Sequence, residues 1–331
     1  MHLHPRLRAL RSDDAPQRHA QTAAFRATAA WRAQLDVVAV MDDLAAFATS
    51  RDMAECPALA ALFEPDDPAA IRLAEGFVAH VCDLLREEPL AHVPLRHFTD
   101  GTVSTLLLGR AGRASLMLTA LDGAAFAQRP APLSLAFTAN ETWEHMLDGG
   151  AEAELVELRT GGQSASANAV SFNRRAISIL PGRVIVRDGS RQSLLLGQVE
   201  GRLVSLKLIR RKPGNVPLRE YDLASGKLVH QAAGCARDSR HELMVTLLGR
   251  MGRTDAAPLL AEMAQEISTT AALRWEALRE CLGLDTIAGF RALGTVARSA
   301  ADPLAAAGGA LRAQLLEAHP QLVGVDPCPV S

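Results

Sequence analysis

Residues 183–209 read RVIVRDGSRQSLLLGQVEGRLVSLKLI, and this stretch decides the fold. Its three apolar runs are separated by Asp188-Gly189 and Glu200-Gly201, which are typical of turns between antiparallel strands because glycine adopts positive φ without penalty. In the last run Ser205 and Lys207 alternate with apolar residues. A period of two is that of a strand with one face in water. The stretch therefore predicts consecutive antiparallel strands.

The same pattern covers most of residues 95–230, where helical periodicity is replaced by short strand-like runs between turn signals. Asp100-Gly101, Gly149-Gly150 and Pro181-Gly182 precede or separate such runs. About eight short antiparallel strands are typical of a sandwich or a barrel. We therefore expect an antiparallel β-barrel or sandwich over residues 93–235.

Helices are predicted on both sides of this segment. We expect a frayed tail over residues 1–20 and a helical segment over residues 21–92, in which one apolar stripe at helical spacing follows Pro68. Its members are Ile71, Ala74, Phe77, Val78, Val81, Leu84 and Leu85.

The C-terminal segment over residues 236–320 contains an internal repeat, which a tail over residues 321–331 follows. Aligning Asp255 with Asp285 places Leu243 on Leu273. Repeated helix pairs are typical of an α-solenoid, whose units bury their apolar faces against their neighbours. The fold class expected for the whole chain is α+β, with N-terminal helices, a β-barrel or sandwich and a short C-terminal α-solenoid.

Two parts of the chain resemble known families. TWEHMLDGG (142–150) and ISILPGRVIVRDG (177–189) resemble the two motifs of the cupins, which are double-stranded β-helix barrels. LRWEAL (273–278), followed by CLGLD (281–285), resembles a HEAT repeat. The cupin metal motif has two histidines one residue apart, and only His145 is present here, so we expect a barrel with no metal and no cofactor. The HEAT resemblance implies a surface for protein interactions.

Composition and charge disfavour several function classes. The net charge of −2 supplies no basic field for phosphates, so we expect no nucleic-acid partner. Five scattered cysteines without a Cys-x-x-Cys pair argue against a disulfide framework and a zinc site. Without an apolar leader or a long uncharged apolar stretch, we expect no membrane partner and a cytoplasmic location.

The densest group of chemically useful side chains is Glu144, His145 and Asp148. These residues could form an acid–base cluster at a barrel mouth. However, neighbouring residues on a strand or turn point in different directions, so closeness in sequence does not make a site. The double glycine that follows favours a decorated turn. If the barrel were an enzyme, His97 or His230 could join Glu144 and His145.

The arginines around the Pro181-Gly182 turn give a second candidate site. On a strand, Arg183, Ile185 and Arg187 would share one face. Facing inward, the two arginines would bind a carboxylate or a phosphate; facing outward, they would only aid solubility, and we favour this second interpretation. Tyr221, the single tyrosine, could anchor the barrel by its hydroxyl, but we favour a packing role.

These observations lead to one expected function and two alternatives. We expect a non-catalytic binding or regulatory protein, whose barrel holds a small anionic ligand or only stabilises the fold. Its helical ends would bind a protein partner or a second copy in a homodimer, since the open end of a solenoid needs cover. The alternatives are a metal-dependent cupin-type enzyme acting on a small molecule, and a purely structural interaction module.

Overall fold

The computed structural model describes residues 13–49, 51–65, 67–159, 170–214 and 216–325. Parts of the predicted tails (1–12 and 326–331, with Cys328) lie outside these residues. Helices and antiparallel sheets make the protein α+β, as predicted. The chain divides into two units, the first holding residues up to Pro213 together with Arg219–His230, and the second Gly214–Leu218 with all residues from Gln231 onward.

Helices of the first unit precede its sheet. They are α1 (Ala15–Arg32), α2 (Leu35–Ala48), α3 (Pro57–Ala61) and α4 (Ala69–Glu87), with a 3-10 turn at Met53–Glu55 and a short α5 (Gly123–Ala127) later in the chain. Helix α4 confirms the predicted helix after Pro68, but only part of its apolar stripe is covered. Phe77 and Leu84 are buried, whereas Val78 and Leu85 are exposed, because the stripe is wider than the face that contacts the core.

In the described residues, ten strands form two antiparallel sheets. They are β1 (His97–Thr99), β2 (Val103–Ala111), β3 (Ala114–Asp122), β4 (Ser134–Phe137), β5 (Asn140–Arg159), β6 (Ser171–Ile179), β7 (Val184–Asp188), β8 (Gln192–Arg211), β9 (Leu218–Asp222) and β10 (Leu228–Ala232). The larger sheet has the order β1-β2-β3-β8-β5-β6, and β7 also pairs with β5. The smaller sheet has the order β10-β9-β4. Pairing among the described strands does not close either sheet into a barrel.

Strands β5 and β8 are longer than the sequence predicts. Strand β5 continues through Gly149-Gly150 and strand β8 through Glu200-Gly201, although the sequence predicts turns at both places. Gly149 has φ +83° and Gly201 has φ +60°, and the β5–β8 register shifts between Met146 and Ala153. A Cβ at Gly149 would overlap the carbonyl oxygen of Arg202. The glycines therefore permit a bulge and a close approach of the two backbones, and the strands continue instead of reversing.

The larger sheet has two buried faces. One face carries Leu116, Leu206 and Leu208, which belong to the same core cluster as Trp31 and Phe47 of the helices. We call the opposite face the inner face; its core cluster contains Leu121, Met146, Ile177, Ile179, Ile185 and Leu203. Ser205, predicted to lie on a wet face, is buried on this inner face. The alternation correctly predicts a strand, but the polar side of β8 lines an interior.

The second unit consists of helices α6 (Ala236–Arg250), α7 (Ala257–Gln265), α8 (Ala271–Leu284), α9 (Thr286–Arg298) and α10 (Ala305–Ala318), with 3-10 turns at Thr254–Ala256 and Pro320–Gly324. The side chain of Asp285 caps α9 by accepting from the backbone N–H groups of Ile287 and Ala288. The two aligned leucines differ, since Leu243 is exposed and Leu273 is buried. The HEAT-like identity of this unit stays a prediction.

No helix in the described part of the chain combines the length and the apolar character that crossing a membrane requires.

Candidate functional site: the inner pocket

A cavity of about 300 Å³ lies against the inner face of the larger sheet, and we call it the inner pocket. Its walls come from strands β3, β5, β6, β7 and β8 and from Val103, the first residue of β2. Its polar lining residues are Thr119, Glu144, Arg187, Ser205 and Lys207, and its apolar lining residues are Val103, Leu121, Met146, Ile179, Leu194, Leu196 and Leu203.

Glu144 is the centre of the polar group. Its carboxylate is held by two cations and one hydroxyl: Lys207 Nζ lies 2.8 Å from Oε1, Arg187 Nη2 donates to Oε2 at 3.0 Å, and Ser205 Oγ donates to Oε1 at 3.1 Å. The side chains of Glu144, Arg187 and Lys207 are 8%, 13% and 23% exposed. One carboxylate and two cations leave a formal charge of +1 inside a largely apolar wall.

Strand register brings these residues together. Glu144 of β5 is the direct cross-strand partner of Lys207 of β8, and Ser205 lies opposite Met146. Arg187 of β7 lies opposite Thr142, on the other side of β5. Side chains opposite one another or two residues apart on adjacent strands share a face and are within reach. The cluster therefore follows from the pairing of β5 with both β7 and β8.

Electrostatics keep Glu144 charged. Burial alone would raise the pKa of Glu144, because desolvation disfavours a carboxylate. The charges of Lys207 and Arg187, with the hydrogen bonds from Lys207 and Ser205, outweigh that effect and hold the pKa of Glu144 below its ordinary value. The group is therefore an ion-paired cluster at neutral pH.

One buried donor of the cluster has no partner among the described residues. The Nε of Arg187 is buried, and it donates no hydrogen bond to any group in the described residues. Buried donors in folded proteins are nearly always paired, and an unpaired one calls for an explanation such as a ligand. The inner pocket thus retains hydrogen-bonding capacity for an anion.

His145, the central residue of the predicted acid–base cluster, points away from the inner pocket. Its buried Nδ1 donates to the carbonyl oxygen of Leu62 at 2.8 Å, on the helix-facing side of the sheet. Because side chains alternate along a strand, consecutive Glu144 and His145 face opposite sides of β5. Asp148 is exposed at the bulge. The three residues therefore do not form one site.

The other candidate residues also lie apart. Arg183 is exposed and donates to the carbonyl oxygen of Ser178. Tyr221 is buried in the smaller sheet, and its ring packs edge-on against Phe137 with centroids 6.0 Å apart. His97 is exposed on strand β1, and His230 is exposed on strand β10. Of the predicted residues, only Glu144 and Arg187 line the inner pocket.

The residues of the inner pocket do not fit a metal centre of the cupin type. The described residues contain no group of three or more histidine, cysteine, aspartate or glutamate side chains that could hold a metal ion. The only carboxylate lining the inner pocket is already paired with two cations, whose charges would repel a metal ion.

Sequence reasoning missed Lys207 and Ser205 as site residues. The alternation predicts a solvent-facing side of a strand for both, since a lysine between leucines usually lies there. The available signal is the alternation of Ser205 and Lys207 with apolar residues, but only the register of β5 with β8 places Lys207 opposite Glu144.

Comparisons with known proteins give distant structural neighbours. No family model matches the sequence, and no curated protein matches it. Among solved structures, the chain is similar to a cupin superfamily protein from Desulfitobacterium hafniense, with 16% identity and a TM-score of 0.23 over 35% of this chain and 83% of that chain.

Two further neighbours match a smaller share of their own length. A 7S globulin from Momordica charantia has 14% identity and a TM-score of 0.25 over 39% of this chain and 35% of that chain. A vicilin from Solanum melongena has 10% identity and a TM-score of 0.27 over 40% of this chain and 33% of that chain. The neighbours thus include a cupin superfamily protein, and at TM-scores this low the likeness decides neither the family nor the activity of this chain.

Proposed function

We propose that this chain is a non-catalytic binding protein whose inner pocket takes a small anionic ligand through Arg187 and Lys207. The observation that carries the proposal is the excess of one partly buried cation over the buried carboxylate of Glu144, inside an apolar wall. Charges in a low-dielectric interior interact more strongly than in water, so an uncompensated positive charge there favours an anion.

The geometry of the two cations supports the same proposal. Guanidinium and ammonium groups bind carboxylates and phosphates by short charge-assisted hydrogen bonds. Within the described part of the chain the Nε of Arg187 has no partner, and Lys207 has three donors, one of which is used by Glu144. An incoming anion can therefore be bound without first breaking the cluster.

The two alternative functions fit the inner pocket less well. A general acid or base works best with a pKa near the operating pH, whereas the pKa of Glu144 is held below its ordinary value. A purely structural role for the pocket requires that no anion binds there, which makes it an outcome of the experiment below.

The finer architecture belongs to the same proposal. We propose that the larger sheet is a cupin-like barrel. The register shifts between β5 and β8 support this, as does the inner pocket, which residues from both halves of β8 line. We propose that the second unit is a short HEAT-like solenoid; the capped α9 and the close packing of α7, α8 and α9 support this. Binding of a protein partner or a second copy through the helical ends stays a prediction.

The experiment is titration calorimetry with acetate, benzoate, succinate and phosphate at constant ionic strength. We expect at least one of these anions to bind the wild-type protein, and Lys207→Met to lose most of that binding. Arg183→Met is the matched control, because it removes an exposed cation near the turn before β7. Circular dichroism verifies that each variant is folded. The proposal fails if no anion binds, or if Lys207→Met and Arg183→Met behave alike.

A further inference from the structure

The charged residues of the inner pocket lie together, and most of its other lining residues are apolar. This arrangement indicates which kind of ligand fits. The charged groups come together around Glu144, while seven of the lining residues are apolar. A ligand without an apolar part, such as phosphate or a short dicarboxylate, would place its polar surface against these apolar residues. An anion with a single charged end and an apolar body would contact both parts.

The size of the cavity limits the apolar body. A cavity of roughly 150 Å³ lined by leucine, isoleucine and phenylalanine is enough to hold benzene. The inner pocket has about 300 Å³. One ring or a short branched chain, together with its carboxylate, therefore fits, and a long fatty acid does not.

Glu144 already occupies the position of a carboxylate between the two cations. Lys207 Nζ and Arg187 Nη2 hold its two oxygens separately, as they would hold a bound acid. Its side chain comes from strand β5, so its charge is permanently present in the pocket and repels a second carboxylate.

From this arrangement, and building on the proposed function, we infer that the ligand is a small monocarboxylic acid with an apolar body, and that Glu144 is a built-in competitor that weakens its binding. Removing the charge of Glu144 while keeping its shape then exposes two cations to the ligand. Glu144→Gln, which would ordinarily be expected to damage a site, is expected to strengthen this one.

The experiment compares benzoate with two probes by titration calorimetry: acetate, which lacks the ring, and benzyl alcohol, which lacks the charge. We expect benzoate to bind the wild-type protein at least about tenfold more tightly than either probe, since both the charge and the burial of the ring contribute. In Glu144→Gln we expect benzoate to bind about tenfold more tightly still. Glu152→Gln is the matched control, because it removes an exposed carboxylate from the same strand and is expected to change nothing.

Each outcome bears on one part of the inference. Equal binding of acetate and benzoate would overturn the apolar body, while leaving the proposed function in place. Weaker binding of benzoate in Glu144→Gln would overturn the role of Glu144 as a competitor. If no anion of any kind binds, the proposed function fails together with the inference.

A second measurement does not depend on the folding of that variant. In wild-type protein with ¹³C-labelled methionine methyl groups, the resonance of Met146, assigned by Met146→Leu, is expected to shift on addition of benzoate, because Met146 lines the inner pocket. If benzoate binds in the calorimeter but the Met146 resonance does not shift, the site lies elsewhere and the inference is overturned.

Discussion

The substitution Arg274→Met tests how the second unit is held together. Arg274 of α8 is buried, with side-chain exposures of 1% for Arg274 and 3% for its partner Asp302. Nη1 donates to Oδ1 of Asp302 at 3.0 Å, Nη2 donates to Oδ2, and Nε donates to the carbonyl oxygen of Ala264 at 2.9 Å. One guanidinium thus connects α8 with the end of α7 and the segment before α10.

The expected magnitude follows from the charge that is left behind. Arg274→Met leaves the carboxylate of Asp302 buried without its partner, which costs roughly 3–5 kcal/mol of unfolding free energy. Arg279 is the control on the same helix, because its ion pair with Glu276 is at the surface. Arg279→Met should cost about 0.2–1 kcal/mol.

Hydrogen exchange measured by mass spectrometry on peptides of α8 reports the loss in this unit alone. A loss of roughly 3–5 kcal/mol accelerates the slowest amides by about two to three and a half orders of magnitude. In the double variant Arg274→Met/Asp302→Asn no buried charge is left unpaired, so most of the protection should return. Similar exchange in Arg274→Met and Arg279→Met, or no recovery in the double variant, would refute the reasoning.

Two further predictions concern the first unit. Because the pKa of Glu144 is lowered on folding, its charge stabilises the protein above its unfolded-state pKa of about 4.3, and this contribution is lost as the pH falls from there through the folded-state pKa. Urea denaturation should therefore show a gap in stability between wild type and Glu144→Gln that is constant from pH 5 to 8 and shrinks below about pH 4; a gap that widens in acid contradicts the lowered pKa. Gly101→Ala, at φ +87° with open space around its Cβ, should cost about 1–2 kcal/mol in urea denaturation. Gly149→Ala should cost roughly 2 kcal/mol more, because its Cβ also meets the backbone of Arg202, and equal costs would argue against that close approach.

The sequence predicted helices and strands well where the pattern involves residues that are close together in the chain. The periodicity after Pro68 predicted helix α4, and the alternation around Ser205 predicted a strand. The glycine turns were predicted with mixed success. Gly182 does lie in the turn between β6 and β7, whereas Gly149 and Gly201 lie inside continuous strands, because a positive φ serves a bulge as well as a turn.

The sequence by itself determined the α+β class, the order of helices and strands, and which residues alternate between two faces of a strand, since these depend on neighbours within a few positions. Its pattern favours an outward-facing Arg187, whereas the structure places that side chain against the inner pocket. Only the tertiary structure decided that Arg187, Lys207 and Ser205 meet Glu144, while adjacent His145 turns to the helices. The physical reason is strand register: it pairs residues far apart in the chain, and a shift by one residue would turn the whole cluster to the other face of the sheet.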